Sequence, residues 1–162
     1  MVLVERNVQK IAPCLWFDNN AEEAVNFYVS VFKNSKIKEI SYYSANMPMP
    51  AGTVLTVGFQ LFGQDFIALN GGPIFKFSEA ISLTVYCDTQ EEIDEYWNKL
   101  SDDPNGGQCG WSKDRYGLSW QIVPTIMPKL VADKEKGPRA MAAVMQMKKL
   151  DIAKIQRAAE GK

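Results

Sequence analysis

Apolar positions along this chain recur at a spacing of two in some stretches and of three to four in others, and each change of spacing marks the edge of an element. Ile11 to Phe17 (IAPCLWF) reads as a first strand, with Pro13 tolerable near a strand start or an edge. Asp18-Asn19-Asn20 follows as turn chemistry with side-chain oxygens suited to a helix cap. Ala24, Val25, Phe27, Tyr28, Val31 and Phe32 then repeat at helical spacing and predict an amphipathic helix over 21–32. A strand over 36–44, a loop over 45–52 with two prolines and a glycine, and a strong strand over 53–62 come next. The chain turns at Gly63-Gln64, runs as a strand to Leu69 and stops at Asn70-Gly71-Gly72-Pro73.

The second half repeats this order. Ala80 to Cys87 is a strand, and a helix from Thr89 to about Leu100 carries Ile93, Tyr96, Trp97 and Leu100 on one face. After a loop over 102–107, Gln108 to Lys113 and Leu118 to Pro124 make a closing hairpin. Two echoes tie the halves together. Glu22-Glu23 before Phe27-Tyr28 matches Glu91-Glu92 before Tyr96-Trp97, and the turn-and-strand FGQDFIAL of 62–69 matches YGLSWQIV of 116–123. The expected architecture is therefore α+β, built from two βαβββ-type modules over about 10–73 and 78–125 within a domain spanning 1–126. From residue 127 the repeat ends, and 139–149 and 151–160 read as helices that pack on the domain or on a partner subunit, with their basic residues as a solvated face.

Composition narrows the chemistry. A chain of 162 residues can bury about 70% of its unfolded surface, so it needs no staple. Cys14, Cys87 and Cys109 are odd in number and fit no C-x-x-C pattern, which argues against a disulfide framework and for a cytoplasmic location. A net charge of -1 gives no electrostatic case for nucleic acid or for an anionic membrane, and no apolar run approaches a membrane span. The partner expected is a small molecule or another protein. The sequence has zero histidines, which removes Ser-His, Cys-His and His-metal chemistry together. Catalysis, if any, would rest on Asp, Glu, Lys, Tyr, Cys or bound water.

The wording LWFDNNAEEAVNFY, the LNGGP followed by FKFSEAIS, and CGWSKDRYGLSWQIVP together resemble the vicinal-oxygen-chelate superfamily of glyoxalase I, bleomycin-resistance proteins and extradiol dioxygenases. Within it they look like the PhnB-like branch, often labelled a 3-demethylubiquinone-9 3-methyltransferase domain. The resemblance covers roughly residues 11–125. It implies a curved mixed sheet around a pocket, helices on the outer face, and a homodimer. The superfamily's metal-ligand positions fall on Pro13, Ser82, Gln121 and, near its echo, Ile67; only Gln121 is even a weak ligand, so no metal and no other cofactor is expected.

With those positions fixing the faces, Cys14, Trp16, Phe66, Ala68, Leu83, Val85, Cys87, Trp120 and Ile122 should point toward the helices. The opposite faces supply the candidate ligand-binding residues Phe17, Thr56, Gln60, Ser82, Thr84, Tyr86 and Gln121, with Trp111 on the bordering hairpin. Each has a plainer reading: an alternating solvent face for Ser82, Thr84 and Tyr86, an inter-strand hydrogen bond for Gln121, packing for Trp111. Cys14 and Cys87 read as small core residues, Asn70-Gly71-Gly72 as a turn, and Asp114-Arg115 as a solvated hairpin tip. The function this supports is metal-free small-molecule binding; a lyase or isomerase of the same fold and a methyltransferase are the alternatives.

Overall fold

The computed structural model describes residues 9–103 and 106–162, which form two compact units divided between Lys76 and Phe77. The first unit runs β1 (Cys14–Phe17), α1 (Ala21–Val31), β2 (Lys36–Tyr42), β3 (Val54–Leu61) and β4 (Gln64–Asn70). Its sheet has the order β1-β4-β3-β2, with β1 parallel to β4 and the other pairs antiparallel. Tyr28 of α1 is fully buried and stacks with Phe59 at 6.5 Å, and Phe59 stacks with Phe66 at 5.4 Å, so one aromatic column joins helix to sheet.

The second unit begins with β5 (Ser82–Cys87), α2 (Gln90–Leu100), β6 (Trp111–Lys113) and β7 (Ser119–Pro124). Its sheet, in the order β5-β7-β6, has three strands among the described residues, so this module is βαββ there rather than βαβββ. Ile93, Tyr96, Trp97 and Leu100 of α2 are all buried, as their spacing predicts, on the side of Val85, Cys87, Trp120 and Ile122. Thr89 caps the helix by accepting from the Glu92 amide at 3.2 Å, while the Glu92 carboxylate accepts from the Asp88 amide at 2.7 Å.

Three short helices follow: α3 (Met127–Val131), α4 (Lys136–Val144) and α5 (Ile152–Ala159). They close over a core of Met127, Ala140, Val144, Leu150, Ile155 and Ala159, against which Cys109 and Val123 pack. Backbone bonds clip this extension to the second module. The Cys109 amide donates to the Met147 carbonyl at 2.7 Å and the Gly110 amide to the Lys148 carbonyl at 2.8 Å. The Gln90 side chain bonds both Leu150 and Ile152, at 3.1 and 3.0 Å. Among the described residues no helix is long and apolar enough to cross a membrane.

One face assignment differs from expectation. In β1 it is Leu15 and Phe17 that are buried, at 5% and 3% exposure, while Cys14 is exposed and Trp16 half-buried. Phe17 pairs with Asn70 and Cys87 with Pro124, so these two residues hold the same place in their modules. Three residues then separate Phe17 from α1, but two separate Cys87 from α2. Matching Pro13 to Ser82, as the resemblance does, leaves out that extra turn residue and slips β1 by one position, which exchanges its faces. Cys14 is consequently no core residue, and Phe17 belongs to the core rather than to a ligand-facing surface.

Candidate functional site

The register of β5, β7 and β6 sets out a grid on one face of the second sheet. Thr84 pairs with Gln121 and Gln121 with Trp111; Ser82 pairs with Ser119 and Ser119 with Lys113; Tyr86 pairs with Val123. Paired positions share a face, so five of the expected residues, Ser82, Thr84, Tyr86, Trp111 and Gln121, come together. At its centre the Gln121 Nε2 donates to the Ser82 Oγ at 2.9 Å, which fixes the amide. Tyr86 is 56% exposed and Trp111 half-buried, leaving both rings available. The Ser119 hydroxyl is buried and has no hydrogen-bond partner among the described residues. Lys113, two residues beyond Trp111, joins the same face, an addition the alternation along WSK could have signalled; it pairs with Glu79 and holds that carboxyl below its usual range.

Thr56 and Gln60 lie in the first unit, where their polar groups already have strand partners. The Thr56 and Ser41 hydroxyls bond at 2.6 Å, and Gln60 Nε2 donates to Asp65 Oδ1 at 2.7 Å. Asp65 also meets Lys38 at 2.9 Å, which is the main reason its carboxyl sits below the usual range. These are cross-strand ties, and the third residue expected from this unit, Phe17, is in the core.

The Asn70-Gly71-Gly72 stretch is a lock. Asn70 is buried, and its Oδ1 accepts from the Ala21 amide at 2.9 Å while its Nδ2 donates to the Val54 carbonyl at 3.0 Å. The cap expected from 18–20 therefore comes from β4 instead, since Asn20 makes no side-chain cap bond. Gly71 and Gly72 donate to the carbonyls of Phe17 and Asp18, and Trp16 Nε1 donates to the Gly72 carbonyl at 2.9 Å. The Trp16 ring lies where a Gly71 side chain would be. The stretch does not make a phosphate cradle, because the space beside Gly71 is filled by indole and the next element is the strand β5 rather than a helix.

Asp114 is likewise not a solvated tip. It is 3% exposed, its Oδ1 accepts from the amides of Tyr116 and Leu118 at 2.9 and 3.0 Å, and its Oδ2 accepts from Trp120 Nε1 at 2.8 Å. Arg115 instead stands over the Tyr116 ring at 5.0 Å.

Residues 9–123 match the model of the family described as 3-demethylubiquinone-9 3-methyltransferase. The chain belongs to this family. A putative 3-demethylubiquinone-9 3-methyltransferase, a PhnB protein from Bacillus cereus, is 40% identical with a TM-score of 0.64, the match covering 72% of this chain and 100% of that one. Protein PA1353 from Pseudomonas aeruginosa, 19% identical with a TM-score of 0.56 over 72% of this chain and 98% of that one, shares the fold. No curated protein matches the chain. The PhnB-like branch anticipated from the motifs is thus the one found, and the helices α3 to α5 lie beyond the family match.

Membership raises the question of a metal. Of the positions where the superfamily resemblance places ligands, Pro13 and Ile67 offer no side-chain donor, and the Ser82 oxygen is tied to Gln121. Among the described residues no three His, Cys, Asp or Glu side chains gather where they could hold a metal ion. The donor set does not fit a divalent cation.

Neither Cys87 nor Cys14 offers an activated nucleophile. Burial, helped by Glu92 and Asp88, pushes the Cys87 pKa up to about 12, and partial shielding of its sulfur raises that of Cys14 although the residue as a whole is exposed. A raised thiol pKa means less thiolate at a given pH. In the native protein at pH 8, iodoacetamide is therefore expected to leave Cys87 unmodified by mass spectrometry until denaturant is added; prompt native labelling would contradict the burial.

Proposed function

We propose that this protein is a metal-independent small-molecule-binding member of its family, holding an uncharged, partly aromatic ligand against the face formed by β5, β7 and β6. The observation that carries the reading is the orphaned Ser119 hydroxyl beside the Gln121–Ser82 pair. An unsatisfied buried hydroxyl costs about 1–3 kcal/mol, a cost removed when a ligand group or ordered water supplies the missing bond. Trp111 and Tyr86 flank the polar centre with aromatic surface, and Glu79 offsets the Lys113 charge at its edge. A cytoplasmic setting accords with three free thiols, and self-association with the exposed Ile74, Phe75 and Ile81.

The family description favours a second reading, methyl transfer, and the superfamily a third, a lyase or isomerase using Tyr86 as acid and Gln121 as hydrogen-bond donor. Among the described residues no glycine-rich turn leads from a strand into a helix as a nucleotide-like cofactor needs; Asn70-Gly71-Gly72 leads from β4 towards β5, with Trp16 in the space beside Gly71. A thermal-shift screen of neutral aromatic compounds, with S-adenosylmethionine among them, separates the readings. Stabilisation of the wild type that is lost in Thr84→Arg, whose guanidinium would cover the exposed centre of the grid, supports binding on this face. Equal shifts in both proteins, or none in either, would sink it, and saturable S-adenosylmethionine binding would install methyl transfer instead.

A further inference from the structure

A second site lies in the helical extension, outside the family match. A cleft of about 490 Å³ opens between α3, α4 and α5, a volume suited to a small organic ligand. Its floor is apolar, from Ile126, Leu130 and Ala159, and its rim carries Lys129 and Gln156 with the Lys136–Glu160 pair. We propose that this cleft binds a small amphipathic carboxylate, its hydrocarbon part on the floor and its head group against Lys129.

Charge selects the class. From residue 127 onward there are nine Lys and Arg against four Asp and Glu, while the preceding chain has nine against fifteen. The net positive charge of this extension thus sits on a protein whose remainder is net negative. Both carboxylates at the cleft are already engaged. Glu160 meets Lys136 at 2.6 Å, and Asp133 accepts from the amides of Glu135 and Lys136 at 2.9 and 2.8 Å, so each is held below its usual range. The charges of Lys162 and Arg139 also favour the ionised Glu160. Lys129 has no ion-pair or hydrogen-bond partner among the described residues, so it is the cation left to meet a ligand's charge. An apolar floor under a free ammonium discriminates against both a bare inorganic anion and a neutral hydrocarbon.

Decanoate below its micellar concentration is the probe, titrated into the full chain and followed through the methyl NMR signals of Ile126 and Leu130. One saturable site moving those methyls is expected. Decanol should bind about fivefold more weakly, and Lys129→Glu should weaken decanoate by about tenfold. Because Lys129 is exposed, that substitution leaves the fold intact. Equal affinity for decanol and decanoate, no effect of Lys129→Glu, shifts confined to β5 and β7, or binding to phosphatidylglycerol vesicles without binding to free decanoate would each overturn the proposal. Thr84→Arg should leave decanoate binding unchanged, which keeps this site distinct from the sheet face.

Discussion

Replacing Asp114 by alanine should lower the unfolding free energy by about 3 kcal/mol, the largest loss expected from any single polar substitution in the second unit. Asp114 is 3% exposed, and its carboxylate accepts hydrogen bonds from two turn amides and from the Trp120 indole. Removing it strands a buried indole N–H and takes the acceptor from the Tyr116 and Leu118 amides, leaving the backbone bonds of Asp114 with Leu118 and Gly117 to hold the loop between β6 and β7. Asp114→Asn tests the mechanism more sharply. Its amide oxygen can still accept from the two turn amides, but its NH2 group then faces the indole N–H, donor against donor. Urea unfolding followed by tryptophan fluorescence should therefore place Asn between Asp and Ala. A loss below about 0.5 kcal/mol for Ala would mean that the carboxylate is solvated after all.

The same residue shows where sequence reasoning stops. Asp114 stands three residues before Gly117 in a hairpin, and that spacing marks a turn; the sequence does not show that the side chain folds inward onto an indole six residues away. Periodicity served well wherever burial was one-sided, as in α2 and in β5, whose alternation placed Val85 and Cys87 inside and Thr84 and Tyr86 outside. It failed at β1, a strand of four residues in which both alternating sets, Leu15 with Phe17 and Cys14 with Trp16, are apolar. There the face rested on the superfamily's ligand positions, with Pro13 matched to Ser82, and one additional residue before α1 reversed it. The shared face of Ser82, Thr84, Tyr86, Trp111 and Gln121 was legible because alternation and pairing agree on it. The cross-strand partners of Thr56 and Gln60 were not, because a polar residue on a strand reads alike whatever its side chain meets, here Ser41 and Asp65. The cleft under α3 to α5 had no sequence signature at all, since Ile126 and Ala159 converge only through the packing of three short helices.

Gly71→Ala is expected to destabilise the first unit by roughly 2–3 kcal/mol, although it adds a single methyl group at the surface of a turn. A Cβ at this position would lie under 3.0 Å from Trp16 Cζ2, Cε2 and Cη2, well inside contact distance. The indole cannot simply swing away. Its Nε1 is bonded to the Gly72 carbonyl at 2.9 Å, and its ring packs edge-on against Phe75 with centroids 5.0 Å apart. Moving it breaks that bond, and moving the glycine instead pulls on the Gly71 amide bond to the Phe17 carbonyl and on the Asn70 cap of α1. A double-mutant cycle identifies which neighbour is responsible. Trp16→Ala alone loses packing and one hydrogen bond, but in its background the methyl added by Gly71→Ala enters space the ring has vacated. The double variant should then lose about 2 kcal/mol less than the sum of the single losses. Additive losses would place the strain in the backbone of the turn and remove Trp16 from the account. Strong coupling would establish that LNGGP is needed in this chain to seat an indole, and so to hold β1, β4 and the start of α1 in one register.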